Sequence, residues 1–115
     1  MGGDVPHPNE FRAQVLRIVE AIPYGRVLAY GDVATLAGSA RAARAVAGIL
    51  RAEHELLPWH RVVNRTPAVS PGDPRRFLMQ IERLRSEGVV VAHDGRIDKH
   101  AIWPLSEAWD LVGQR

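Results

Sequence analysis

The sequence predicts a single mostly α domain with small β elements, of the helix-turn-helix or winged-helix-like class. Three observations carry this. A chain of 115 residues, 46% hydrophobic and 24% charged, suits one core and is too short for two. Two short segments with helical apolar spacing meet at Gly38-Ser39, the outline of a helix-turn-helix. Short runs of branched residues, such as Val27-Leu28-Ala29 and Val89 to Ala92, are bounded by proline and glycine and read as strands.

The first helix is predicted from Asn9 to Ile22. Phe11, Val15, Ile18, Val19 and Ile22 recur on one face, Asn9 is the expected N-cap, and Pro23 stops the helix. Pro23-Tyr24-Gly25 is a turn signal and leads into the extended run at Val27. A second helix runs from about Gly31 to Ala37, burying Val33 and Leu36, and ends at Gly38. Ser39 is the expected cap of a third helix, from Ala40 to about Ala52. After a loop from Glu53 to Leu57, Pro58 to Val63 lead through Asn64–Pro67 into Ala68-Val69-Ser70, a short hairpin or wing. Asp73 and Pro74 form an N-cap and first-turn pair for a fourth helix with Phe77, Ile81 and Leu84 inward, ended by Gly88. Asp94-Gly95 turns the chain, so that Arg96 to Asp98 pair back on Val89 to Ala92. The tail, with Trp103 and Trp109, is expected to pack over the domain.

Several functions are excluded or disfavoured at this level. The absence of cysteine removes disulfides, thiolate metal sites and a thiol nucleophile. The five histidines (7, 54, 60, 93 and 100) lack the close pairing of metal-binding helices, so no metal or cofactor is expected. No apolar run reaches the roughly 18 residues a membrane span needs, so neither membrane insertion nor secretion is expected. Met1-Gly2-Gly3 resembles a myristoylation start, but Pro6 stands where that motif needs Ser or Thr.

Charge is concentrated. Residues 41–76 hold seven arginines against three acids, while the segments on either side are each slightly acidic. Arginine suits forked contacts to phosphate and stacking on flat rings, so the middle third suggests a polyanion partner, with a solvated surface as the plain alternative. On the third helix, Ala42, Val46, Ile49 and Leu50 fall on one side and Arg41, Arg44, Gly48 and Arg51 on the other, flanked by Ala45 and Ala52. Such an outer face lets the helix backbone approach a groove while arginines reach past it. An exposed helix using alanine for its propensity would look the same.

Three stretches then carry a resemblance: Ile22-Pro23-Tyr24-Gly25-Arg26-Val27 with Tyr30-Gly31-Asp32-Val33-Ala34; Ala43-Arg44-Ala45-Val46-Ala47-Gly48; and Pro58-Trp59-His60-Arg61-Val62. In this order they resemble the DNA-binding domain of the O6-alkylguanine-DNA alkyltransferases, and more closely the non-enzymatic alkyltransferase-like proteins. The resemblance covers about residues 9–91 of a single domain spanning 1–115, with the tail 92–115 packing on it, and implies a fold of the alkyltransferase C-terminal type.

That resemblance implies the following roles. Trp59 stands where the enzymes have the alkyl-accepting cysteine. An indole nitrogen is a donor and no nucleophile at neutral pH, so no transfer by the family mechanism is expected. Trp59, Tyr30, Pro58, His60 and Val63 are expected to form a lesion pocket, with His60 and Glu87 as remnants of the thiol-activating relay. Arg44 corresponds to the finger that fills the base stack, and Tyr30 to the residue that helps rotate the nucleotide out. Arg41, Ala45, Gly48 and Arg51 are expected at the DNA, docked in the minor groove. The family arginine that stacks on the flipped base falls on Arg65, Arg75 or Arg76, a choice that stays open.

The implied function is binding of O6-alkylguanine in double-stranded DNA, extrusion of the nucleotide without dealkylation, and flagging of the site for nucleotide excision repair proteins. A monomer is expected, located in the cytoplasm and on the nucleoid of a bacterium, or in the nucleus of a eukaryote. The alternative is a sequence-specific winged-helix transcription regulator, which would use the same helix pair in the major groove but leaves Pro58–Arg61 without a role.

Overall fold

The structure is a computed structural model and describes residues 7–53 and 57–113. The Met1-Gly2-Gly3 start and most of the loop expected after Glu53 lie outside the described residues. Helix α1 spans Pro8–Ala21 and buries Phe11, Val15, Ile18 and Val19. Its cap is His7, not Asn9: the Asn9 N–H donates to His7 Nδ1 at 3.1 Å. Pro8 explains the earlier start, since it has no N–H to leave unsatisfied and its fixed φ suits a first turn. Ile22 leaves the helix in an extended conformation, as the following proline requires.

Strand β1 (Leu28–Ala29) pairs in parallel with β2 (Val62–Val63), Leu28 opposite Val62 and Ala29 opposite Val63. Successive strand residues face opposite sides. Leu28 and Val62 therefore join a core with α1, Trp59 and Trp103. Val27 and Val63 join a second core with Val69, Ile81, Leu84, Val91 and Ile97. The small sheet thus ties the helical half of the domain to the wing half.

Helix α2 (Tyr30–Leu36) and helix α3 (Ala43–Glu53) form the expected helix-turn-helix, with Gly38 at φ +100 in the turn. Helix α3 begins three residues later than expected. Ser39 to Ala42 are closed as a turn by the Ala42 N–H donating to the Ser39 carbonyl at 3.0 Å. Arg41 consequently sits on the turn and not on the α3 face assigned to it from periodicity. On α3, Val46 and Leu50 are the buried residues, each contributing about 1.5–3 kcal/mol by leaving water. This buried inner face anchors the helix to the core.

The Trp59–Arg61 turn leads directly into β2. The wing is a tight turn closed by the Asn64 N–H to the Ala68 carbonyl at 3.0 Å, and Ala68 pairs in turn with Arg96. Helix α4 (Pro74–Ser86) is capped by Asp73, which accepts the Arg75 N–H at 3.0 Å. The expected strand over Val89 to Ala92 is reduced to one bridge, Val91 to Ile97. Gly95 closes the intervening turn at φ +94, and a side chain there would meet the Phe77 ring at 2.9 Å. Beyond it, Trp103 is buried and its N–H donates to the Val27 carbonyl at 2.8 Å. Helix α5 (Leu105–Ala108) continues into a π turn, Trp109–Gly113. Trp109 does not pack as expected. Ala108 and Val112 take the inward positions and leave Trp109 46% exposed.

Candidate nucleic-acid interface and base cavity

The outer face of α3 carries Arg44, Ala45, Gly48, Arg51 and Ala52, all exposed. Nothing lies within 4 Å of where a side chain on Gly48 would project, so the helix backbone is bare there. Arg44 and Arg51 stand along one edge of that bare strip, about two turns apart.

Beside this face lies a cavity of about 550 Å³, within the range of sites that hold small molecules or single nucleobases. Helix α2 supplies Tyr30, helix α3 supplies Arg44, Ala47 and Arg51, the segment before α4 supplies Ser70 and Asp73, and α4 supplies Arg76 and Gln80. Three arginines against one aspartate make the wall cationic. Tyr30, the first residue of α2, is part-buried against the helical core with its ring in the wall.

Trp59 is 2% exposed and belongs to the core beneath this cavity. The Arg76 guanidinium carbon is 3.9 Å from the centre of its ring, and that of Arg83 is 5.3 Å away. A cation over an indole face at that distance contributes about 0.5–2 kcal/mol, more as water is excluded. Arg76 also lines the cavity, so the indole is presented to it through a guanidinium. Of the five residues expected to form the pocket, Tyr30 is in the wall. Trp59 lies behind Arg76, and Pro58 and His60 belong to the turn around Trp59. Val63 faces a separate cavity of about 130 Å³ with Asp32 and Arg65. The reason is geometric: the Trp59–Arg61 turn points the indole inward, and α4 crosses in front of it.

The three wing arginines separate cleanly. Arg65 is exposed and pairs with Asp32 at 3.3 Å. Arg75 is exposed on the first turn of α4. Arg76 alone of the three lines the larger cavity.

Behind Trp59 a buried ionic cluster fixes the turn. Glu87, at the C-terminal end of α4, accepts from Arg61 Nη2 at 2.8 Å, from Arg61 Nε at 3.0 Å and from the Gly25 N–H at 2.8 Å. Arg61 Nη1 also donates to the Ile22 carbonyl at 2.9 Å. Burial on its own would raise the Glu87 carboxyl, but the Arg61 guanidinium, the Gly25 N–H and His60 outweigh it and hold the group down to about 2. His60 Nε2 lies 2.7 Å from Glu87 Oε2. Burial lowers the His60 pKa against the pull of Glu87, so the ring is neutral at pH 7. An ionised carboxylate only accepts, which assigns the proton to Nε2 and leaves Nδ1 as an acceptor. Nδ1 is buried with no hydrogen-bond partner among the described residues.

Gln80 was not anticipated. It occupies a core-facing position of α4, is 4% exposed, and donates to the carbonyls of His60 and Val62 at 3.0 Å each. The amide thereby joins the cavity wall to the Trp59 turn. A glutamine one residue before the inward Ile81 was the available signal.

An arginine-faced helix-turn-helix with a cationic cavity at its flank is a DNA-binding domain. The particular kind follows from comparison: the family model for the 6-O-methylguanine DNA methyltransferase DNA-binding domain matches residues 10–89, and the chain belongs to this family. It is 50% identical over 92 residues to the DNA base-flipping protein of Escherichia coli K12, covering 78% of this chain and 70% of that protein. It is 36% identical over 86 residues to alkyltransferase-like protein 1 of Schizosaccharomyces pombe, covering 72% and 80%. Its fold is similar to that of S. pombe Atl1 in a crystal structure with damaged DNA containing O6-carboxymethylguanine, at a TM-score of 0.72 and 31% identity over 84% of this chain and 96% of that one. These 115 residues contain no cysteine and so offer no thiol to take up an alkyl group.

Proposed function

We propose that this protein binds O6-alkylguanine in duplex DNA from the minor groove, turns the damaged nucleotide into the cavity beside α3, and holds it there with the alkyl group intact. The observation that carries the reading is the Arg76 guanidinium lying over Trp59 at 3.9 Å in the wall of that cavity. A flat cation backed by an indole offers a purine a surface to stack on, and a cation over an aromatic face contributes about 0.5–2 kcal/mol. We assign to Arg76 the stacking role that the resemblance leaves open among three arginines.

Extrusion costs a few kcal/mol of pairing and stacking, and less where the pair is already damaged. An O6-alkyl group removes the guanine N1 proton and weakens pairing with cytosine, so the lesion lowers that cost. On this reading Arg44 enters the vacated stack and Tyr30 presses on the phosphate, with Ala45 and Gly48 admitting the groove edge. Arg51, Arg41 on its turn and Arg75 on the first turn of α4 would contact phosphates, and Arg65 would do so at the cost of its Asp32 pair. His60 and Glu87 have no thiol to activate and instead brace the Trp59 turn. As nothing reacts, a monomer stays on the lesion as a marker, and we extend the reading to recruitment of nucleotide excision repair proteins.

The test is a titration of one labelled duplex with and without a single O6-methylguanine carrying a labelled methyl group. The reading expects tighter binding to the lesion and all of the label recovered in DNA. Equal affinity for both duplexes, or label on the protein, overturns it.

A further inference from the structure

Residues 101–113, beyond the family match, carry two acids and no lysine or arginine. Here α5 and its π turn meet the Pro23 corner and frame an open groove of about 360 Å³ walled by Pro23, Trp103, Glu107, Asp110 and Leu111. Trp103 is its buried floor, whereas Leu111 is 65% exposed. Pro23 and Leu111 stand beside the indole floor, and apolar groups that share one groove mark a contact surface, unlike the same groups scattered singly. The two carboxylates at its edge repel phosphate, which makes this corner unsuited to DNA. It shares no wall residue with the cavity beside α3.

We propose that this groove docks a short protein segment in which a large apolar side chain is flanked by lysine or arginine. The apolar group seats on Trp103 between Pro23 and Leu111, and the flanking cations pair with Glu107 and Asp110. Sign complementarity selects such a segment over an acidic one. Because the groove and the arginine face lie on different elements, partner and duplex are held by different residues. The proposal stands independently of the lesion reading.

The test pans a phage-displayed library of random dodecapeptides against the full chain, with counter-selection on a Glu107→Gln, Asp110→Asn, Leu111→Ser triple variant. All three side chains are exposed, and circular dichroism and duplex affinity report whether the variant keeps its fold; if it does not, Leu111→Ser alone serves. Recovered peptides should combine Lys or Arg with a large apolar residue. A synthetic copy should bind the variant about ten-fold or more weakly than the parent, and should weaken with salt. Recovery of no peptides, of peptides without cations, or of peptides that bind the variant equally overturns the proposal. So does dimerisation of the parent but not the variant, which would assign the groove to a second copy.

Discussion

The Arg76 guanidinium lies 3.9 Å from the centre of the Trp59 ring and separates that buried indole from the cavity beside α3. On the proposed reading Trp59 supports the floor, and Arg76 is the stacking arginine that the resemblance leaves open among three.

Removing that surface should affect recognition before it affects folding. Arg76→Ala is expected to lower the preference for O6-methylguanine DNA over plain DNA about ten-fold, while costing roughly 1 kcal/mol of stability from the lost cation–π contact. Arg76→Lys should not restore the preference, because an ammonium has no flat face. Duplex titrations and urea unfolding measure the two effects. Full rescue by lysine would mean that charge alone matters.

Trp59 also shows where sequence reasoning reached and where it stopped. The helix-turn-helix, the α4 cap at Asp73 and the arginine face were legible because each depends on local spacing or on one capping atom. The pocket expected from the resemblance includes Pro58, His60 and Val63, none of which lines the cavity beside α3. Gln80 and Arg76 come to this wall from α4, some 20 residues on, and only tertiary packing brings them there. The late start of α3 moves Arg41 onto a turn, which the Ala42 N–H closes by donating to the Ser39 carbonyl. Trp109 was misplaced because side-chain size suggested burial, whereas the smaller Ala108 fits the available space.

Arg44 should be the most costly arginine to lose from α3. Arg44→Ala is expected to weaken lesion binding by about ten-fold to a hundred-fold, since the extruded state loses the group that fills the stack, and plain-duplex affinity by less. Fluorescence of 2-aminopurine placed beside the lesion reports the stacking change. Equal losses on both duplexes would reduce Arg44 to a phosphate contact.

Gly48 offers a substitution that separates binding from stability. A side chain there meets nothing within 4 Å, so Gly48→Glu should fold at least as well and gain up to about 1 kcal/mol of helix propensity. Its bulk and charge should nevertheless weaken binding to every duplex, with a steep dependence on salt. Unchanged affinity would show that the α3 face does not approach DNA closely.

The Glu87 cluster makes stability sensitive to acid. The Glu87 carboxyl is held at about 2 in the folded protein, below its unfolded range, so its contribution is complete above about pH 4.5 and is lost as pH falls toward 2. His60, lowered by burial, adds a loss that begins as pH falls below about 6.5, where the unfolded ring takes up a proton first. Stability should therefore decline from near neutrality downward, in two stages. Glu87→Ala should remove the lower stage and cost on the order of 3 kcal/mol by leaving Arg61 buried without its carboxylate. Thermal unfolding from pH 3 to 8 checks both points.

The most direct measurement is a crystal structure of the protein on a duplex with one O6-methylguanine. The account predicts the modified base outside the helix, lying over the Arg76 guanidinium with its methyl group in place, and Arg44 in the gap it left. A duplex with every base still stacked, or an extruded base lodged away from Arg76 and Trp59, would contradict it.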